Sequence, residues 1–171
     1  MSSRPSFSFP DNAVLLMAIL TTGLVSGYFA MHWMTLQPGM TEMGADIYGT
    51  MQAVITHDLR NPWFLFLFMG GGAFLALSLA FGAREWRHPS FWLIALALVI
   101  YAAGVVLYTK FVMAPINHEI QGWNPIDMPA SWIDVRARWS HLNHYRVIAA
   151  IASFALATLA LAIRASTPRR T

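Results

Sequence analysis

The densest grouping of side chains able to do chemistry is Trp132-Ile-Asp-Val-Arg136-Ala-Arg-Trp139-Ser-His141-Leu-Asn143-His144-Tyr-Arg146. At about 100° per residue, a helix puts Trp132, Arg136, Trp139, Asn143 and Arg146 on one narrow face. Such a stripe suits an amphipathic pocket: the indoles wall it, while the amide and guanidinium orient a polar or anionic group. It equally suits anchoring at a membrane interface, with Trp at headgroup depth and Arg reaching out to water. Spacing leaves both readings open. His141 and His144 are three apart and share a face nearly opposite the stripe. A pair at that spacing can chelate a metal.

Other chemistry-bearing residues gather nearby in the chain. Asn117 follows Pro115 and lies seven residues beyond Lys110 on the same helical face, with Met113 between. Its amide could line a site, or could simply bond carbonyls freed by the proline. Lys110, near a span end, is expected to snorkel to water. Five of the six histidines, His32, His57, His118, His141 and His144, belong to the two segments on one side of the expected spans, and His88 lies on the other. With Glu119 and seven of the ten methionines (Met31, Met34, Met40, Met43, Met51, Met113 and Met128), they make copper the metal to consider. Solvated interfacial histidines would give the same distribution.

The elements that must position these residues are membrane helices. A content of 57% hydrophobic and 11% charged residues does not describe the surface of a soluble domain. The apolar runs Ala13–Leu36, Trp63–Ala83, Phe91–Met113 and Val147–Ile163 are each long enough to cross about 30 Å of hydrocarbon. They predict an all-α integral membrane four-helix bundle, one domain over residues 1–171, built as two hairpins with spans near 13–36, 62–83, 90–113 and 141–164. The first run is too long and too weakly charged at its start for a secretion signal, so it reads as a retained span. Arg4, Arg84, Arg87, Arg164, Arg169 and Arg170 fall on one side, whereas Arg60, Lys110, Arg136 and Arg138 share the other with six of the eight acids. The positive-inside rule then places both termini in the cytoplasm of a multi-pass cell-membrane protein. The net charge of +3 lies in these flanks, where anionic lipid explains it better than nucleic acid, and no nucleic-acid partner is expected. The absence of cysteine removes disulfides and thiolate chemistry.

Local signals divide the chain further. Asp11 and Asn12 are expected to cap the first span, Asn61-Pro62 the second and His88-Pro89-Ser90 the third. Gly23, Gly27, Gly70 to Gly72, Gly104, Ala149, Ala152 and Ala155 offer close helix contact, and leave monomer and homo-oligomer both open. The first connector, residues 39–60, predicts an amphipathic helix with Ile47, Met51, Val54 and Ile55 on its apolar side. The second, residues 122–130, reads as an ordered loop. Spans one and three echo one another, ending in Met34-Thr-Leu-Gln-Pro38 and Phe111-Val-Met-Ala-Pro115.

Gln37-Pro-Gly-Met40, Met51-Gln-Ala-Val-Ile55, Asn61-Pro-Trp-Phe64, Pro115-Ile-Asn117 with Ile120, and above all Trp139-x3-Asn143-His144-x-Arg146 resemble the DUF1772 membrane family, which includes the anthrone oxygenases. The resemblance covers nearly the whole chain. Thr56 and Met113 depart from it, since many bacterial members have Asn at both positions. It implies a four-helix bundle that inserts oxygen at an activated methylene of a small apolar aromatic substrate, with no cofactor required. In that reading Arg146 holds the substrate anion, Asn143 and Asn117 orient its oxygens, Trp132 and Trp139 stack on the ring, and His144 or His118 takes the proton. Two readings stand beside it. One is a copper-binding membrane protein with His141 and His144 as ligands. The other is a non-catalytic subunit in the lipid bilayer, whose Trp139, Asn143 and Arg146 only lock helices together.

Overall fold

The computed structural model describes residues 7–58 and 61–166, so Arg4, Arg60, Arg169 and Arg170 of the charge argument lie outside the described residues. The chain is an all-α membrane bundle. Helix α1 (Phe9–Thr41) leads into a short α2 (Ala45–Asp58), followed by α3 (Pro62–Glu85), α4 (Pro89–Gln121) and α5 (Trp132–Ser166). All but α2 are long and apolar enough to cross a membrane. The helices outrun the apolar runs because their polar extensions keep helical bonding beyond hydrocarbon depth.

Each spanning helix packs chiefly on two others: α1 on α3 and α5, and α4 on α3 and α5. Small residues set the closeness. A Cβ on Gly71 would stand 2.7 Å from the Tyr101 ring, and one on Gly104 would stand 2.6 Å from Ala149 Cβ. Tyr101 donates to the Phe68 carbonyl at 2.8 Å and Ser153 to the Ala97 carbonyl at 2.9 Å, tying α4 to both neighbours. Not every expected contact forms. A methyl added at Gly27 would meet nothing within 4 Å, and Ala155 is exposed, because both lie on outward faces; Ala150, Ala157 and Ala160 supply buried alanine surface on α5.

The helix starts follow from local chemistry, with one correction. Ser8, rather than Asp11 or Asn12, is the N-cap of α1, and Asp11 completes a capping box by accepting from the Ser8 N–H at 2.7 Å. Asn61 caps α3 by accepting from the Phe64 N–H, with Pro62 at the first helical position. His88 Nδ1 caps α4 by accepting from the Ser90 N–H at 3.3 Å. Burial and then the Arg164 charge hold the His88 imidazole below its ordinary range, which keeps that nitrogen able to accept. Arg164, counted with the basic flank, is instead buried, donating to Ser90 Oγ and the Asp11 carbonyl.

The echo between spans one and three has a structural counterpart. A π turn over His32–Leu36 precedes Pro38 in α1, and one over Thr109–Met113 precedes Pro115 in α4. A proline inside a helix removes a donor and crowds the carbonyl one turn before it. Widening that turn to five-residue bonding relieves the crowding: the Gln37 N–H reaches the His32 carbonyl, and the Ala114 N–H reaches that of Thr109. The connector helix α2 forms as expected, but its buried face is Tyr48, Gly49 and Gln52, while Ile47 and Val54 stay exposed. The 122–130 loop is ordered by a turn in which Asn124 accepts from the Ile126 and Asp127 amides.

Two expectations follow. Gly104→Ala should lower stability by about 1 to 3 kcal/mol through overpacking against Ala149, whereas Gly27→Ala should be neutral or slightly stabilising; thermal unfolding in detergent compares them. For His88, a folded-state pKa below the unfolded value of 6.5 means that the unfolded chain binds more protons as pH falls. Unfolding temperature should therefore drop more steeply below pH 6.5 in the native chain than in His88→Asn, which keeps a capping side chain without a titrating group.

Candidate functional site

The stripe on α5 faces inward over its lower part. Trp139, Asn143 and Arg146 are buried, with 3%, 1% and 8% of their surface exposed. Arg146 donates through Nε and Nη2 to Asn143 Oδ1 at 3.1 and 2.6 Å, and through Nη1 to Thr109 Oγ1 at 3.4 Å. Its guanidinium carbon stands 4.2 Å above the Phe29 ring of α1. Among the described residues the ion pairs are His57 with Asp58 and Arg138 with Glu119, and no carboxylate pairs with Arg146. A buried cation thus bonds only neutral oxygens and a π face.

That cation borders a cavity of about 180 Å³ where the ends of α2, α3 and α4 meet α1 and α5. Phe29, Phe64 and Phe68 supply aromatic wall; the Phe64 and Phe68 rings are stacked at 6.0 Å. Thr56, Thr109 and Asn117 supply polar edges, and the exposed His118 and Leu65 stand at the rim. Asn117 is fixed from behind, its Oδ1 accepting from Trp139 Nε1 at 2.7 Å. The amide therefore bonds an indole rather than carbonyls freed by Pro115. Such a site can hold a small, flat, apolar molecule bearing a negative charge or an electron-rich oxygen.

The upper part of the stripe belongs elsewhere. Trp132 packs on Tyr48 of α2 with ring centroids 5.8 Å apart, and Arg136 lies over both rings while donating to the Thr41 carbonyl. Burial pushes the Tyr48 phenol up to about 12, against the opposing Arg136 charge. Trp132 does not line the Arg146 cavity. His144 also lies apart, its ring 4.7 Å from that of Trp33, in a groove of about 440 Å³ between α1 and α5 lined also by Gln37, Arg136, Ser140 and His141. His141 Nε2 hydrogen-bonds Tyr145 Oη at 3.2 Å. Among the described residues, no three His, Asp or Glu side chains converge as a metal set. Lys110 is exposed, with Nζ over the Phe111 ring.

Phe29 and Thr109 escaped the sequence reading, while Thr56 and His32 were named there in other capacities, as a departure from the family pattern and as one of five histidines on one side. Phe29, Thr109 and Thr56 touch the cavity without belonging to any polar cluster in the chain. His32 is buried, its ring 5.3 Å from Trp139 and 6.3 Å from Tyr28, and its Nδ1 has no partner. The available signal was a histidine three residues after Phe29, within an apolar span where an ionisable group is costly.

Residues 63–156, more than half of the chain, match the anthrone oxygenase family. The chain belongs to that family. The matched stretch carries Phe64, Phe68, Thr109, Asn117, Asn143 and Arg146, while Phe29, His32 and Thr56 come from the part before it. No curated protein and no solved structure matches the chain.

The indole to amide bond gives a specific expectation. Trp139→Phe and Asn117→Ala should each lower stability, and a double-mutant cycle by thermal unfolding should show about 0.5 to 1.5 kcal/mol of coupling between them.

Proposed function

We propose that this member of the anthrone oxygenase family is a small membrane oxygenase that uses O2 on an apolar aromatic substrate without a metal or organic cofactor. The observation that carries the reading is Arg146, a buried guanidinium with no carboxylate partner, bordering an aromatic-walled cavity. A bound anion would supply the missing counter-charge, and a phenolate or enolate fits both the charge and the rings.

The chemistry balances without a further reagent. An activated methylene loses one proton, and the resulting carbanion gives its electrons to O2 and forms a C–O bond as a peroxide. Protonation yields the hydroperoxide, which loses water to leave a carbonyl; overall CH2 and O2 become C=O and H2O. Arg146 lowers the energy of the anion in the water-poor cavity, and Asn143 and Thr109 hold the guanidinium in place. Asn117, fixed by Trp139, orients an oxygen of the substrate. His118, at the cavity rim, takes the first proton; His144, in the groove by Trp33, is not placed to do so. Leu65 at the rim opens the cavity toward the lipid-facing surface, a direct entry for an apolar molecule dissolved in the bilayer. The basic residues of the sequence, Arg84 and Arg87 among them, support a reading with both termini in the cytoplasm and the α2 end outside.

The test is oxygen uptake by the purified protein in lipid nanodiscs, with anthrone, the compound in the family's name, as the first probe. Arg146→Lys should fold and lose about 10² to 10³ of kcat/KM, because an ammonium cannot reproduce the planar fork. No uptake above the uncatalysed rate with anthrone or other autoxidisable phenols, or full activity in a folded Arg146→Lys, would sink the reading. The same hydrogen bonds from Arg146 would then stand as a lock between α4 and α5.

A further inference from the structure

The two ends of the bundle treat buried polar groups differently. Away from α2, Thr21, Thr22 and Ser26 bond carbonyls of their own helix, and Tyr101 and Ser153 bond carbonyls of neighbours. At the α2 end, His32 Nδ1, both amide atoms of Gln37, Tyr48 Oη and Gln52 Oε1 are buried without a partner, and they account for five of the seven such atoms among the described residues. Asn12 Oδ1 and Ser78 Oγ are the other two. Groups this polar are retained in an interior when something bonds them, and water is the smallest molecule that can both donate and accept.

Their placement gives that water a direction. Gln37 is 4% exposed, yet it lines the groove between α1 and α5, together with Thr41, Arg136, Ser140, His141 and His144. The groove's volume of about 440 Å³ holds several waters at about 30 Å³ each. The π turn bonds the Gln37 backbone N–H to the His32 carbonyl, and both side chains are buried on that stretch of α1. His32 in turn packs against Trp139 and Tyr28, and each of these touches the cavity wall, Trp139 through its hydrogen bond to Asn117 and Tyr28 through its ring contact with Phe64. On α2, Tyr48 and Gln52 share a face with Thr56, which lines the cavity itself.

We propose that the groove between α1 and α5 is the water and proton inlet of the site, with Gln37 and His32 as its relay to the Arg146 cavity. An oxygenase whose substrate arrives from lipid needs a separate aqueous route for the proton taken up by the peroxide and for the water released. The rim at Leu65 and His118 is the substrate's entry, whereas this groove is a separate opening lined by Gln37, Thr41, Arg136, Ser140, His141 and His144. The catalytic use of the inlet rests on the oxygenase reading; its hydration does not.

Exchange of the histidine C2 proton in D2O passes through the imidazolium. The test of the inlet is that exchange, resolved residue by residue by mass spectrometry on the full chain in nanodiscs without substrate, with each rate divided by that of a freely hydrated imidazole of the same pKa read from its pH profile. His32 should exchange within about tenfold of the exposed His141, despite its burial. Gln37→Leu, and independently Ser140→Leu from the opposite wall, should slow His32 by at least about tenfold and leave His57 and His118 unchanged. Slow exchange at His32 in the native chain would overturn the proposal, as would fast exchange that neither plug alters; in the second case water reaches His32 by another route. An anionic headgroup seated in the groove would also overturn it, and would appear as slow His32 exchange that speeds up when anionic lipid is left out of the nanodisc. Because oxygen uptake is a separate assay, failure of the inlet and failure of the oxygenase reading cannot be confused.

Discussion

The structure at the α2 end is organised around one costly group, the buried guanidinium of Arg146. Removing such an ion from water costs several kcal/mol, which must be offset by good hydrogen bonds or an opposite charge. Here α5 supplies Asn143 one turn away, α4 supplies Thr109, and α1 supplies the face of Phe29. None of these carries a formal negative charge. Three helices are therefore committed to one side chain, while its full charge is still available to something in the adjacent cavity.

The prolines of α1 and α4 serve the same arrangement. Each follows a widened turn, and the first residues of these two turns are His32 and Thr109. Thr109 bonds Arg146 directly, and His32 packs on Trp139, two turns before Arg146 on α5. A regular α-helix would rotate the following residues by a different amount, and Gln37 and Asn117 lie just beyond these turns. The widened turns thus connect a backbone constraint, the missing proline N–H, with the position of side chains on which the site depends.

The opposite half of the bundle shows what packing alone requires. There Thr21, Thr22 and Ser26 bond carbonyls of their own helix, and toward the middle of the bundle Gly71 against Tyr101 and Gly104 against Ala149 close the packing, with Asn12 Oδ1 and Ser78 Oγ as the unpartnered exceptions. Association in lipid depends on such close contact because the surrounding chains are as apolar as the helices. The α2 end departs from this economy of bonding, with a cavity, a polar groove and unpartnered side chains. The contrast separates the half that holds the bundle together from the half with room for chemistry.

The sequence by itself determined the class, the four spans, the caps at Asn61 and His88 and the common face of Trp139, Asn143 and Arg146, because these depend on local composition and a fixed helical period. Burial of that face was decided by the fold. The family motif shares Trp139, Asn143 and Arg146 with that face, while its His144 lies in the groove by Trp33. Only the tertiary structure decided which residues meet Arg146. Phe29 and Thr109 are ordinary residues of separate helices, and nothing in their own neighbourhoods marks them. It also parted residues that a helical wheel joins: Trp132 and Arg136 share the stripe but turn to Tyr48, because α2 folds back onto that stretch of α5. His141 and His144, prominent in the chain, lie on a flank, while His32 lies buried beside Trp139. Periodicity fixes the face a residue occupies on its own helix; the helix that covers that face is set by packing between distant segments.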